Sequence, residues 1–152
     1  MRGVRRTLPA VMGTVLAVSL VGCASDTERY CDTLSEKKQT LTDLAVSDDA
    51  DVLDRTLDVL RDLRDEAPPD IEDEWSTLVF AYETLADAFD AAGTSPGEYD
   101  PASPPRGVTE EQAERIEGAA AELGSARVMQ AADGLEQHAR DVCKVDLGLS
   151  SG

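Results

Sequence analysis

The feature that most constrains the fold is an apolar repeat between residues 71 and 89. Its members are separated alternately by four and three residues: Ile71, Trp75, Leu78, Tyr82, Leu85 and Phe89. This spacing places every member on one face of an α-helix, as at the a and d positions of a heptad. The repeat predicts a long helix that begins after Pro68 and Pro69, because proline ends the helix before it.

Apolar residues recur at helical spacing along most of the remaining chain, and no strand-like alternation of useful length accompanies them. Further helices are expected over 27–45, 49–66, 110–123 and 126–142. Their expected inward residues are Tyr30, Leu34, Leu41, Leu44, Leu53, Leu57, Leu60, Leu63, Ala113, Ile116, Ala120, Val128, Ala131, Leu135 and Val142. The predicted fold class is therefore all-α, a bundle of four to five helices.

Segment 93–108 departs from this pattern, because it holds four prolines, three glycines and few apolar residues. We expect an exposed linker or a long loop there rather than a domain boundary. Elsewhere, capping-box spacing marks two helix starts, in Ser25 with Glu28 and in Thr109 with Gln112. These signals predict one small domain, in keeping with a length of 152 residues.

The first 23 residues follow a different pattern. Three arginines precede an uncharged apolar run over 8–21, which is shorter than the roughly 20 residues of a membrane-spanning helix. The run ends in Leu20, Val21, Gly22 and Cys23, a sequence that resembles the lipobox of bacterial lipoproteins. The resemblance implies lipid transfer to the Cys23 thiol, cleavage before Cys23 and an amino-terminal lipid anchor. An uncleaved anchor or a signal peptide without lipid is the alternative.

The expected organisation is a signal peptide over 1–22, a lipidated tether over 23–26, a helical domain over 27–143 and a flexible tail over 144–152. Removal of the signal peptide would take away three arginines and no acid, so the net charge would fall from −17 to −20. Such an acidic domain does not suit the phosphate backbone of nucleic acid. It is also expected to stand off an anionic lipid surface.

With Cys23 assigned to the lipobox, two cysteines remain, Cys31 and Cys143. Outside the cytoplasm they can form one disulfide, which is the pairing that we predict; a redox-active thiol pair or two free thiols are the alternatives. The bridge requires both cysteines at one end of the bundle, which five full-length helices in strict alternation do not allow. We expect segment 93–108 to cross the bundle, and the alternative is a single kinked helix over 110–142.

Few residues qualify as candidate sites. Trp75, Tyr82 and Phe89 are either core residues, which their spacing favours, or the lining of an apolar-ligand pocket between helices. The lone histidine, His138, is expected to be structural and partly buried. The acidic segments 47–54 and 70–74 are interpreted as helix starts, because they lack the spacing of a calcium loop and the buried carboxylate of an acid catalyst. We predict no catalytic residue, metal site or cofactor.

Several quoted positions also carry a family resemblance. They are the lipobox, Tyr30 with Cys31, the helix start Ile71-Glu72-Asp73-Glu74-Trp75, and the run Ala131 to Ala139 that leads to Cys143. The chain resembles the small, acidic, helical lipoproteins of high-GC Gram-positive bacteria, which implies lipid anchoring, a disulfide and a helical fold. Many of those proteins have glycine after the last cysteine, where this chain has Lys144.

The functional expectation follows from the signal peptide, the charge and the missing catalytic motifs. We expect a non-catalytic lipoprotein on the outer face of the cell membrane, held there by its lipid. Its expected partner is a protein of the cell envelope, and no nucleic-acid partner is expected. The alternative function is binding of a small apolar ligand between helices, near Trp75.

Overall fold

Residues 25–147 are described by a computed structural model, and within them the chain forms five helices and no strand. The helices are α1 (Asp26–Ala45), α2 (Val52–Asp65), α3 (Glu72–Ala92), α4 (Glu110–Leu123) and α5 (Ala126–Asp141). The all-α prediction is therefore confirmed. The lipobox and the expected signal peptide lie outside the described residues, as does the end of the predicted tail from residue 148 onward.

Local side-chain chemistry sets where these helices begin. Ser25 and Glu28 form the predicted capping box, in which the Ser25 amide donates to Glu28 Oε2 at 2.7 Å and the Glu28 amide donates to Ser25 Oγ at 3.2 Å. Thr109 and Gln112 form the second capping box in the same way. Helix α2 begins later than expected, because Ser47 and Asp49 hydrogen-bond to each other and hold a turn before it.

Helix α3 is the centre of the bundle, since α2, α4 and α5 all pack against it, while α1 packs on α2. Its buried residues are Trp75, Val79, Ala81, Leu85, Ala86, Ala88 and Phe89. Leu78 and Tyr82, which the repeat places in the same seam, are only half-buried. All six members of the predicted repeat therefore belong to the core or pack against it, and further residues of α3 are buried because helices pack on several of its sides. Small alanine side chains let those neighbours approach closely.

The inward faces of α4 and α5 also differ from the expected ones at two positions. Ala120 is exposed and Ala119 is buried in its place, next to the buried Ile116. Both alanines lie at helical spacing from Ile116, so the pattern alone did not distinguish them. Val142 is 46% exposed because it lies beyond the last turn of α5, where the chain leaves the helix.

Segment 93–108 does not cross the bundle, so the expected crossing linker is wrong. The side chain of Gln112 donates a hydrogen bond from Nε2 to the carbonyl oxygen of Ala91 at 2.7 Å. The first turn of α4 therefore lies beside the last turn of α3, and the segment leaves and returns at the same end. The alternative of one kinked helix over 110–142 is also not observed, because Gly124 and Ser125 separate α4 from α5.

The two cysteines meet because α4 and α5, one after the other, run back along α3 from its last turn to its first. Helix α4 starts beside the end of α3, and α5 lies against its beginning, where Gly134 faces the Glu74 side chain and His138 approaches Asp70. Two short helices in succession thus cover the length that one long helix would cover. This path brings Cys31 and Cys143 to the same end of the bundle without a crossing segment.

The bundle has two distinct ends. We call the end that holds Cys31, Trp75 and Cys143 the disulfide end, and the end that holds segment 93–108 the loop end. The loop is not a fully exposed linker, because Tyr99 packs edge-on against the core residue Phe89, with ring centroids 5.8 Å apart. The start of the predicted flexible tail is also held, because the Val145 amide donates to the Ala139 carbonyl oxygen at 2.9 Å.

Candidate functional site

The disulfide end is closed by the predicted covalent bond. The sulfur atoms of Cys31 and Cys143 are 2.02 Å apart, and the bond joins residues separated by 112 positions. It links the second turn of α1 to the residues that follow α5, so the two ends of the folded domain are held together. In the chain-entropy account, a cross-link that closes a loop of this length lowers the entropy of the unfolded chain and so stabilises the folded state by about 4–5 kcal/mol.

A buried cluster of three rings lies at the same end. The indole of Trp75 donates a hydrogen bond from Nε1 to Tyr30 Oη at 3.1 Å, and the two rings meet edge to face. The Tyr30 ring also meets His138 edge to face, with centroids 5.7 Å apart. Burial raises the pKa of the Tyr30 phenol to about 12; the Trp75 hydrogen bond opposes this, and the charge of Asp70 adds to it.

His138 is buried, as the sequence predicted for a structural histidine. Its Nε2 lies 3.6 Å from Asp70 Oδ2, just before the start of α3. Its Nδ1 is buried and has no hydrogen-bond partner among residues 25–147. The imidazole ring therefore packs against Tyr30 and makes one polar contact, with the exposed carboxylate of Asp70.

The three aromatic residues of the predicted ligand pocket are distributed along α3 rather than gathered. Trp75 belongs to the ring cluster at the disulfide end, and Phe89 packs against Tyr99 at the loop end. Tyr82 lies half-buried between them, and its burial raises the pKa of its phenol. Of the two clefts described below, one includes Phe89, and neither includes Trp75 or Tyr82.

The larger cleft, of about 370 Å³, lies between the first half of α3 and the first half of α5. Its lining residues are Asp73, Glu74, Thr77, Arg127, Gln130 and Ala131. Arg127 is paired with Glu122 across the break between α4 and α5, and its hydrogen bond lowers the pKa of the Glu122 carboxyl. The cleft combines charges of both signs on a mostly polar lining.

The smaller cleft, of about 160 Å³, lies at the loop end, and we call it the loop-end cleft. It is lined by the start of α2, the last turns of α3 and the first residues of the loop: Ala50, Leu53, Asp54, Ala86, Phe89, Asp90, Thr94, Ser95 and Pro96. Leu53, Ala86 and Phe89 are buried core residues, and Asp54 and Asp90 are exposed. Buried apolar side chains and exposed carboxylates therefore both border this cleft, and the surface that it exposes is mainly polar.

Sequence reasoning did not find this cleft, because its residues come from three segments far apart in the chain. Phe89 was grouped with Trp75 and Tyr82, Leu53 was expected as a core residue, and Ala50 and Asp54 belonged to the acidic segment 47–54. The sequence carries only an indirect signal. Asp54 directly follows the inward residue Leu53, and Asp90 directly follows the inward residue Phe89, so each lies at the border of a buried helix face. Bringing the two borders together required the packing of α2 on α3.

The acidic segment 47–54 contains no calcium-type arrangement. Arg55 lies 3.1 Å from an oxygen of Asp49 and 3.8 Å from one of Asp51, so a guanidinium faces these carboxylates. Within residues 25–147 no group of three or more histidine, cysteine or acidic side chains is arranged to hold a metal ion. The segment serves as the acidic start of α2, where negative charge is favourable.

Comparisons with known proteins complete the description of the site. Protein families, curated proteins and solved structures were all compared with the chain, and none of them matches. Among residues 25–147, no helix is both long enough and apolar enough to cross a membrane. Residues 25–147 thus form a disulfide-closed helical domain with an acid-rimmed cleft at the end opposite the bridge.

Proposed function

We propose that the protein is a lipid-anchored extracytoplasmic lipoprotein whose helical domain is a non-catalytic interaction module of the cell envelope. The observation that carries the proposal is the position of the lipobox cysteine relative to the fold. Cys23 precedes the first residue of α1, Asp26, by three positions, and α1 begins at the disulfide end. A lipid on Cys23 would hold that end toward the membrane.

The disulfide supports an extracytoplasmic location. Disulfides persist where the environment is oxidising, and they are uncommon in the reducing cytoplasm. In this protein the bond joins the region of the tether to the end of the last helix, so a pull on the anchor would be borne by a covalent link.

The orientation leaves the loop end for contact with other molecules. Helix α3 has 21 residues and thus a length of about 30 Å, which separates the loop end from the tether. The acidic charge of the domain disfavours close contact with anionic lipid and favours contact with basic protein surfaces. The alternative of an apolar ligand beside Trp75 lacks this kind of support, because that ring is only 2% exposed and packs edge to face against Tyr30.

The anchor is tested by membrane fractionation of cells that express the Cys23→Ala variant. We expect the variant to leave the membrane fraction or to accumulate as the unprocessed precursor. The matched control is the double variant Cys31→Ser and Cys143→Ser, which keeps the lipobox and is expected to remain in the membrane fraction. Membrane attachment and mature size that are unchanged in Cys23→Ala would refute the anchor.

The interaction module is tested by crosslinking in intact cells, with purification of the anchored protein and mass spectrometry of the captured material. We expect one dominant envelope protein. Its recovery should fall in Cys23→Ala, because an unanchored domain no longer meets its partner at the membrane. Recovery at background level from the anchored wild-type protein would refute the interaction module.

A further inference from the structure

We propose that the peptide bond between Arg106 and Gly107 is a processing site for an arginine-specific endopeptidase. Cleavage there gives two chains that stay joined by the disulfide between Cys31 and Cys143. Neither the lipid anchor nor an envelope partner is needed for this site, so it goes beyond the proposed function. Four features support it: the exposure of the segment, the few hydrogen bonds within it, the unpaired Arg106 side chain and the position of the disulfide.

The bond lies in an exposed stretch of the loop between α3 and α4. Residues 100–104 are exposed, and so are Arg106 and Gly107. Residues 101–109 contain no acidic residue, although the whole chain has 31, so Arg106 is the one charged side chain of that run. An endopeptidase must reach several residues on each side of the bond that it cuts. This stretch offers them at a loop tip, where proteolytic cleavage concentrates.

Few hydrogen bonds oppose the extended conformation in which peptidases bind a substrate. The Ser103 amide donates to the Asp100 carbonyl oxygen at 3.0 Å, and the Ala102 amide donates to an Asp100 side-chain oxygen at 2.9 Å. The Val108 amide donates to the Pro105 carbonyl oxygen at 3.1 Å. The prolines of the stretch have no amide hydrogen and therefore donate no further bond. Opening these turns breaks fewer bonds than unwinding a helix, so this segment opens more readily.

The side chain of Arg106 differs from those of the other arginines. Within the part of the chain that the structure describes, the other seven lie in helices, and each is paired with a carboxylate. They are Arg29, Arg55, Arg61, Arg64, Arg115, Arg127 and Arg140. Arg106 forms no ion pair with any of residues 25–147. Its guanidinium is thus available to the acidic pocket with which trypsin-like peptidases bind a basic side chain.

The three lysines of residues 25–147 are less accessible to cleavage than Arg106. Lys37 and Lys38 lie within α1, and Lys144 directly follows Cys143, which the disulfide holds. Cleavage after a helical residue requires the helix to unwind and leave its neighbours, which costs more free energy than opening a loop. Arg106 is therefore the basic residue of the described domain that a peptidase reaches first.

The disulfide decides what the cut produces. The bond separates α1, α2 and α3 from α4 and α5 along the chain, and Cys31 belongs to the first part and Cys143 to the second. Both α4 and α5 also pack against α3. Hydrolysis consumes one water: its hydroxyl group bonds to the Arg106 carbonyl carbon, and its hydrogen goes to the Gly107 nitrogen. The product is one folded domain of two linked chains, with new termini at the loop end.

The accessibility of the bond is tested with trypsin, which cleaves after both lysine and arginine. The full chain is kept folded in detergent micelles with limiting trypsin, and mass spectrometry identifies the fragments. The first cut within residues 25–147 should fall between Arg106 and Gly107. Arg106→Gln should slow the first cleavage of that domain by at least about 20-fold, because a helix must then open. A first cut after another basic residue of the wild-type domain, or an equal rate in Arg106→Gln, would overturn the site.

Arg115→Gln is the matched control. Arg115 is also exposed, but it lies in α4 and is 3.0 Å from an oxygen of Glu111, so its loss should leave the cleavage rate within about twofold. Equal slowing in Arg115→Gln and Arg106→Gln would show an effect of charge alone and overturn the site.

The two-chain product is tested on the trypsin-cut wild-type protein. Its fluorescence should remain that of the buried Trp75, which lies at the opposite end of the bundle. In urea it should remain a single species until a thiol reductant separates the chains. Separation without reductant, or the emission of a solvent-exposed tryptophan after the cut in the absence of urea, would overturn the two-chain domain.

Processing itself is tested on protein purified from the cells that naturally produce it, by mass spectrometry with and without reduction. We expect reduction to release a chain that begins at Gly107 with a free amino group. Arg106→Lys should yield at least about tenfold less of this chain, although trypsin still cuts it, because lysine lacks the planar guanidinium that an arginine-specific pocket binds. Wild-type protein that stays a single chain after reduction would overturn processing. Equal processing of Arg106→Lys would overturn the selectivity for arginine. The anchor and the interaction module are measured separately, by fractionation and crosslinking.

Discussion

The two ends of the bundle are built in different ways. At the disulfide end, a covalent bond, the Tyr30–Trp75 hydrogen bond and the buried His138 ring close the structure. At the loop end, the chain is held by the contact of Tyr99 with Phe89 and by the hydrogen bond from Gln112 to Ala91. The loop end also keeps an open cleft with unpaired carboxylates. The difference shows that covalent and aromatic contacts close one end, while the other end keeps a solvent-exposed cleft.

This contrast has a physical basis in the chain path. Four helices have a terminus at each end of the bundle; at the disulfide end, α1 and α3 begin and α2 and α5 end. Large side chains from three of them form the ring cluster. At the loop end, the segment that joins α3 to α4 is long and rich in proline, so it covers the core with few large apolar groups. The cleft remains where that cover ends.

The largest effect that would break the contrast is removal of the disulfide. The double variant Cys31→Ser and Cys143→Ser should lower the free energy of unfolding by about 4–5 kcal/mol, because the unfolded chain regains the entropy of a long loop. Urea unfolding followed by the fluorescence of the single tryptophan, Trp75, measures the change. The wild-type protein under reducing conditions is the control and should behave like the variant. A loss below about 1 kcal/mol would show that packing, rather than the bond, closes this end.

The next effect concerns the hydrogen bond inside the ring cluster. Tyr30→Phe should lower the free energy of unfolding by about 1–3 kcal/mol at neutral pH, since the buried Trp75 Nε1 then has no acceptor. Wild-type protein should also lose stability as the pH rises from 10 to about 12. The raised pKa keeps the Tyr30 phenol protonated in the folded state, while the unfolded chain releases its proton near pH 10.

The alkaline loss attributable to Tyr30 is about 2–3 kcal/mol, and it is fully absent below pH 10. It is measured as the difference in pH dependence between wild-type protein and Tyr30→Phe. Tyr82→Phe is the matched control, because burial raises the pKa of that phenol without the partners of Tyr30. Identical alkaline profiles for wild-type protein and Tyr30→Phe would contradict the assignment.

The smallest expected changes in the free energy of unfolding come from substitutions at two residues, one at each end of the bundle, whose backbone is in the left-handed region. Gly93 at the end of α3 has a φ of 66°, and Lys144 after the disulfide has a φ of 58°. Gly93→Ala should cost about 1 kcal/mol, because a side chain is strained there although space is open. Lys144→Gly should stabilise by about 0.5 kcal/mol, since relief of the left-handed strain is partly offset by the greater freedom of glycine in the unfolded chain and by loss of the Lys144 Nζ bond to the Asp141 carbonyl oxygen.

Thermal unfolding of these two variants beside Gly118→Ala sharpens the comparison. Gly118 lies within α4 with open space around it, so alanine there should stabilise by about 1 kcal/mol through helix propensity. The expected order of stability is Gly118→Ala, Lys144→Gly, wild type and Gly93→Ala. A Gly93→Ala variant as stable as wild type would show that the loop end relaxes to absorb the strain.

Local signals predicted the elements of this fold well. Helices α1 and α4 begin at the predicted capping boxes of Ser25 and Thr109. Helix α3 begins after the two prolines, and α4 ends at Gly124. Each of these signals acts within a few residues, so it can be seen without the tertiary structure. The disulfide was predictable for a different reason: if Cys23 belongs to a lipobox, as its sequence context predicts, Cys31 and Cys143 are the remaining pair.

The path between the elements and the cleft could not be predicted in the same way. The length of segment 93–108 permits both a crossing and a return, and only the contact of Gln112 with Ala91 selects the return. The burial of Ala119 instead of Ala120 likewise depends on how α4 lies against α3. Such choices are made by contacts between segments far apart in the chain, whose energies do not appear in local spacing.

The sequence by itself predicted the helical class, most of the helix boundaries, the disulfide partners and the pattern of the expected lipid anchor. The reason is that helical periodicity, capping and cysteine number are properties of short segments or of simple counts. The tertiary structure decided that α3 is buried on several sides, that α4 and α5 share one return, and that Asp54, Asp90 and Thr94 border one cleft. These features arise only when distant segments pack, because packing brings their side chains to the same place.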